Sequence, residues 1–187
     1  METFAGPKPF VDNPEYERNR CVALETLRSL IATGRIDPPL VDLMTLFSRV
    51  SHCYTIQSCF GHFVHERESD EHTTARLAPY QGMVSTVFYR IAYLAFVLEK
   101  SENGFVLCRD LRTLALQNPG YIQFGSAGWF WEQSVNTCQI QVAMEQEKEK
   151  DSFWVTYDEA LQLENVRDLL IHDIATIARN HIRWAGN

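Results

Sequence analysis

Residues 54–62 set Tyr54, Thr55, Ile56, Gln57, Ser58, Cys59, Phe60, Gly61 and His62 in a row: a thiol, two hydroxyls, an imidazole and a glycine between apolar runs. Polar groups buried without partners cost several kcal/mol, so residues gathered in this way belong to a site or to a tightly bonded turn. Cys59 and His62 bring two chemistries into view. A metal could use Cys53, Cys59, His62 and His65, which fall within thirteen positions, and zinc accepts such donors. There is no Cys-x-x-Cys or His-x-x-x-His element, however, and on a strand His62 and His65 leave opposite faces, so no metal ligand is assigned. A nucleophilic cysteine needs a lowered pKa and access, and no elbow or family signature around Cys59 supplies them. A metal- or cysteine-dependent enzyme stays open as an alternative.

Other candidates carry weaker signals. Gly125-Ser126-Ala127-Gly128 lacks the lysine and hydroxyl of a phosphate-cradling loop and reads as a hairpin or bulge. Trp129, Phe130, Trp131 and Trp154, with Phe124, have rings that can stack on nucleobases or simply fill a core. His172 lies among Leu169, Leu170 and Ile174, and His181 beside Arg179 and Arg183 complements a helix C-terminus. Neither histidine requires a catalytic role.

The elements that must position residues 54–62 follow from periodicity. Residues 1–13 read as an irregular arm. Asn13-Pro14 starts a helix carrying Val22, Ala23, Leu27, Leu30 and Ile31, which Gly34 stops. Asp37-Pro38-Pro39 caps a second, with Leu40, Leu43, Met44, Leu46, Phe47 and Val50. The short linker predicts a helix hairpin over 14–50. Short strands are expected at 54–56 and 60–64, then a solvated loop at 66–78, with a lid over Cys59 as its alternative reading. The apolar run 84–98 suits helix or strand, and a strand centred on 86–93 is preferred, closed by Asn103-Gly104.

A helix over 105–117 and β-like segments at 121–124 and 129–132 come next. Residues 137–144 alternate Ile140, Val142 and Met144 with Gln139 and Gln141, the pattern of a strand with one wet face. A charged connector at 145–151 precedes the strongest helical repeat, 157–181. The expected fold class is α+β: one domain over 1–187, an N-terminal helix hairpin, a mixed or antiparallel sheet in 51–187 with helices on one face, and a long C-terminal helix.

Composition bounds the function. The chain has 187 residues, 45% hydrophobic and 22% charged, as a globular protein should. A net charge of −7 argues against broad adhesion to nucleic acid, which is carried by cations. An acidic, non-apolar opening and the absence of a long apolar run predict no membrane association and a cytoplasmic location. Five widely spaced cysteines read as reduced. Oligomeric state is not encoded legibly.

The order of these features resembles the opening of the tRNA wybutosine-synthesizing methyltransferase family, the third enzyme of that pathway. There a helix ends in a basic-hydrophobic-Asp turn, a second helix follows, and an aromatic-Thr-Thr-Ser-Ser-Cys-Ser-Gly-Arg motif comes next. Here the same order runs Gly34-Arg35-Ile36-Asp37, Leu40 to Phe47, and Tyr54 to His62. Thr55, Ser58, Cys59 and Gly61 coincide with the motif, while Gln57, Phe60 and His62 depart from it, His62 standing where the family has arginine. Phe88-Tyr89-Arg90-Ile91-Ala92-Tyr93 falls where the family has a Trp-Leu-x-x-x-His strand. The resemblance implies transfer of a methyl group from S-adenosylmethionine to a ring nitrogen of a modified guanosine in tRNA. Thr55, Ser58, the backbone near Gly61 and Arg90 would bind ligand, Cys59 would shape the pocket floor, and His62 would remove a proton or stabilise charge. A diverged relative that binds another ligand without catalysis is the alternative.

Overall fold

The computed structural model describes residues 4–64, 76–77 and 81–184. The expected loop and lid at 66–78 therefore lie almost wholly outside the described residues, as does His65. Among the described residues the fold is α+β, and every strand pairing is antiparallel. Among the described residues eight strands form two sheets. The larger has the order β1-β6-β7-β5-β2 and the smaller β3-β4-β8, where β1 is Phe4–Ala5, β2 Cys53–Cys59, β3 His62–Val64, β4 Thr86–Arg90, β5 Ala92–Leu98, β6 Ile122–Ala127, β7 Thr137–Val142 and β8 Ser152–Thr156. The helices are α1 (Tyr16–Ala32), α2 (Val41–Phe47), α3 (Glu102–Gln117), α4 (Gly128–Gln133) and α5 (Tyr157–Trp184).

The long helix α5 is the one its periodicity promised. Leu163, Val166, Leu170, Ile174 and Ala178 recur at three and four and are buried against the sheet, whereas Leu169 is exposed on the opposite side. With α2 and α3 it encloses the main core, to which β5 contributes Leu94, Phe96 and Leu98 and β7 contributes Ile140 and Val142. The alternate β5 residues Ala95 and Val97 face the other way, toward smaller clusters with Phe130, Ala127, Tyr16 and Tyr54. No described helix is long and apolar enough to cross a membrane.

Several boundaries differ from those expected, each for a physical reason. The segment 84–98 is extended, but it breaks at Ile91, where the chain leaves the small sheet as β4 and enters the large one as β5. Buried Tyr89 braces this corner: its hydroxyl donates to the Val142 carbonyl at 3.1 Å and accepts from the Ala92 amide at 3.0 Å. Asn103-Gly104 is no turn closing the strand. It lies in the first turn of α3, where the Ser101 hydroxyl accepts from the Gly104 amide, and a Cβ at 104 would sit 2.0 Å from the Glu99 carbonyl oxygen.

Residues 129–132 are helical rather than β-like. Residues 152–156, which lie between the expected connector and the expected helix and carried no assignment, form β8. The polar face of β7 is not wet: Gln139 and Gln141 are 5% and 1% exposed, because residues 148–151 and Phe4 lie beside that face and the Lys148 carbonyl accepts from Gln141. Asn13 and Asp37 are not the side-chain caps expected of them. The residue before α1 is Glu15, and Asp37 turns its carboxylate elsewhere.

Candidate functional site

The corner at which the chain passes between sheets holds the residues of the 54–62 segment. Strand β2 ends at Cys59, Phe60-Gly61 makes the turn, and His62 opens β3 in the small sheet. Gly61 is left-handed, φ +86°, and a Cβ there would lie 2.8 Å from the Ala92 Cβ and 3.0 Å from its amide nitrogen. Only glycine fits such a close approach without strain.

Three further groups hold the turn. Asp37 accepts the Phe60 amide at 2.8 Å through Oδ2, and its Oδ1 lies 3.4 Å from His62 Nε2. The Gly61 amide donates to Cys59 Sγ at 3.5 Å. Arg167 of α5, wholly buried, donates to the Gly61 carbonyl at 3.2 Å and lays its guanidinium 3.9 Å from the Phe60 ring centroid. Asp168 accepts from Arg167, which compensates the buried charge. The geometry of residues 59–62 is thus imposed from α5 and from the turn that precedes α2.

Electrostatics follow from that packing. Hydrogen bonding to Asp37, then to Cys59, raises the His62 pKa to about 9. Asp37 is held below the ordinary carboxylate value, first by its bond to His62 and also by the Phe60 amide. At neutral pH His62 is therefore an imidazolium. Of the two roles the resemblance implied for it, a protonated ring stabilises charge and donates; it does not accept a proton.

His62 sits directly across from Arg90 on β4, and Arg90 across from Ser152 on β8. Both side chains line the cleft at the sheet corner, with the charge on His62 balanced by Asp37. Asp37, Cys59 and His62 offer donor atoms within 4.8 Å of one another, close enough for a metal ion. In this structure the Asp37 oxygens meet His62 and the Phe60 amide, so the cluster stands as an ion pair beside a thiol. Cys53 takes no part: it is fully buried, and burial pushes its thiol pKa up.

Two clefts flank β2. The first, about 480 Å³, runs between α1 and β2. Leu27, Ile36, Met44 and Ile56 line it, together with the polar groups Thr55, Gln57 and Ser58. The second, about 520 Å³, opens at the sheet corner and is lined by Gln57, Cys59, His62, Arg90, Ile91, Tyr93, Trp129, Phe130, Gln139, Asp151 and Ser152. Both have the size of small-molecule sites, and Gln57 borders both.

The expected residues are thus divided. Thr55 and Ser58 belong to the first cleft, Cys59, His62 and Arg90 to the second, and Gly61 lines neither, acting through its backbone. Trp129 and Trp154 are both more than half exposed, but only Trp129 lines the second cleft, while Trp154 lies against Phe88 in the small sheet. Asp37 and Gln139 join the site only in the folded chain, and Gln57, part of the 54–62 segment but given no role of its own, proves to border both clefts. Asp37 looked like a helix cap, and only folding brings it to His62. The alternation of β7 was the available signal for Gln139.

The sequence matches no protein-family model and no curated protein. The chain is similar in fold to a structure of the PH1069 protein from Pyrococcus horikoshii, with 12% identity, a TM-score of 0.52, and coverage of 90% of this chain and 96% of that one. A second structure of PH1069, from Pyrococcus horikoshii OT3, matches at 10% identity and a TM-score of 0.51, covering 91% and 93%. At such identity the similarity is one of architecture, and it spans nearly the whole of both chains.

Proposed function

We propose that the protein transfers a methyl group from S-adenosylmethionine to a ring nitrogen of a modified guanosine in tRNA. The observation that carries the reading is a pair of neighbouring clefts that share Gln57 in their linings, since a transfer between two substrates needs two adjacent sites. S-adenosylmethionine takes the cleft between α1 and β2, with the Thr55 and Ser58 hydroxyls on its polar groups. The base takes the corner cleft, stacked on Trp129, with its phosphate between His62 and Arg90. The ring nitrogen attacks the methyl carbon as the carbon–sulfur bond breaks, and S-adenosylhomocysteine leaves. A proton on the attacked nitrogen passes to Asp151 or to water, because His62 already holds one.

A tRNA substrate meets a chain of net charge −7 through local contacts at this cleft, where the Arg90 side chain and the His62 ring face one phosphate. The expected reaction is incorporation of tritium from methyl-labelled S-adenosylmethionine into tRNA taken from cells lacking this protein. Arg90→Ala lowers it at least about tenfold by removing a charge-assisted contact. Absence of incorporation by the wild-type protein, with S-adenosylmethionine and tRNA both in excess, overturns the reading.

A further inference from the structure

The floor of the corner cleft contains a hydrogen-bond relay whose direction can be deduced. Gln139 and Gln141 are two apart on β7 and so lie on the same face of their strand. The Lys148 carbonyl can only accept, and the Gln141 side chain meets it at 2.7 Å, so Gln141 must present its Nε2 there. Gln141 Oε1 is thereby turned toward Gln139 and accepts from Gln139 Nε2. That leaves Gln139 Oε1 as the end of the relay, buried and with no partner among the described residues.

A buried carbonyl oxygen without a donor is costly, and native proteins satisfy nearly all such groups. Its surroundings say what supplies the donor. Gln139 lines the same cleft as Tyr93, Phe130 and Trp129 and as the cations His62 and Arg90. Opposite Gln139 on β5 stands Ala95, whose small side chain leaves room above the amide. The ligand that completes this site is a flat ring that packs on aromatics, carries an anionic group, and directs an N–H at the cleft floor.

We infer that Gln139 is a specificity-determining residue that accepts a hydrogen bond from a lactam-type ring N–H of the bound base, and that Gln141 positions it by fixing which end of its amide faces the cleft. The inference rests on the corner cleft being the base-binding cleft. Loss of the ligand's N–H leaves the acceptor unpaired, whereas an apolar replacement at 139 removes the demand itself.

The test measures quenching of tryptophan fluorescence by guanosine 5′-monophosphate and by its 1-methyl derivative, which lacks the ring N–H. The wild-type protein binds the parent at least about tenfold tighter. Gln139→Met brings the ratio near one, and so does Gln141→Met, which leaves the 139 amide free to turn over. Equal affinity of the wild-type protein for both nucleotides, or quenching by neither at millimolar concentration, overturns the inference. Should the 139 variant fail to fold, the wild-type comparison and the 141 variant still decide. Titration with S-adenosylmethionine runs alongside: base discrimination without cofactor binding sinks the methyl-transfer reading alone, and cofactor binding without discrimination sinks this inference alone.

Discussion

At the scale of single residues, the site depends on a proton and on a missing side chain. His62 is charged because Asp37 faces it, and this sets a pH signature. A histidine whose folded pKa stands near 9 against an ordinary 6.5 contributes stability that is complete below 6.5 and is lost as pH rises through 9. Asp37, depressed from 3.8, contributes above that value and loses its contribution as pH falls through its lowered pKa. The pair is therefore most effective from about pH 4 to 6.5 and fades by pH 9. Asp37→Ala is expected to cost about 1–3 kcal/mol in that window, since it also strands the Phe60 amide. Proton NMR of the His62 ring should show its pKa fall toward the ordinary value. Gly61→Ala is expected to cost about 1–3 kcal/mol by urea denaturation, through its left-handed backbone and the contact with Ala92.

At the scale of elements, the question is what holds the corner in shape. Arg167 ties α5 to the Gly61 carbonyl while buried among Phe60, Phe63, Glu164 and Asp168. Arg167→Met leaves acidic partners and a carbonyl without their cation and is expected to cost about 3–5 kcal/mol in chemical denaturation. Arg167→Lys should not rescue it, because an ammonium cannot reproduce the planar fork.

A second tether joins the far end of α5 to the start of β2. Asp110 accepts from His181 Nε2 at 3.1 Å, and His181 Nδ1 then accepts from His52 Nε2 at 2.9 Å. Burial, then His181 and Arg20, push the His52 pKa down to about 4. The unfolded chain binds that proton near 6.5, so stability falls as pH drops from 6.5 toward 4. His52→Gln keeps a donor toward His181 and should flatten this slope in urea midpoints measured between pH 7 and 4.

At the scale of the whole molecule, what was legible in the chain is what repeats. Helix α5 declares itself through Leu161, Val166, Leu169, Leu170, Ile174, Ile177 and Ala178, of which Leu169 proves exposed while Leu163 joins the buried stripe, and β7 through its alternation. The segment 152–156 is hidden because charge precedes it and no glycine or proline separates it from α5. Residues 128–133 are too few to show a helical period, and their aromatics favour strand. The motif 54–62 was legible as a cluster, but its division between two clefts was not. That division depends on the β2 bulge between Thr55 and Gln57 and on Asp37 and Arg167, which only the fold brings close. A fold similar to that of PH1069 over nine-tenths of the chain at 12% identity makes the same point: architecture is similar where residue identity is not.

The claim on which the account turns is that the cleft between α1 and β2 receives S-adenosylmethionine while the corner cleft stays open for a base. Isothermal titration of the wild-type protein with S-adenosylmethionine tests it most directly, repeated with Ser58→Trp to fill the first cleft and Arg90→Ala to alter the second. Saturable binding by the wild-type protein is expected, with its loss in Ser58→Trp and its retention in Arg90→Ala. No heat at millimolar S-adenosylmethionine, or binding abolished by Arg90→Ala and untouched by Ser58→Trp, would contradict that claim.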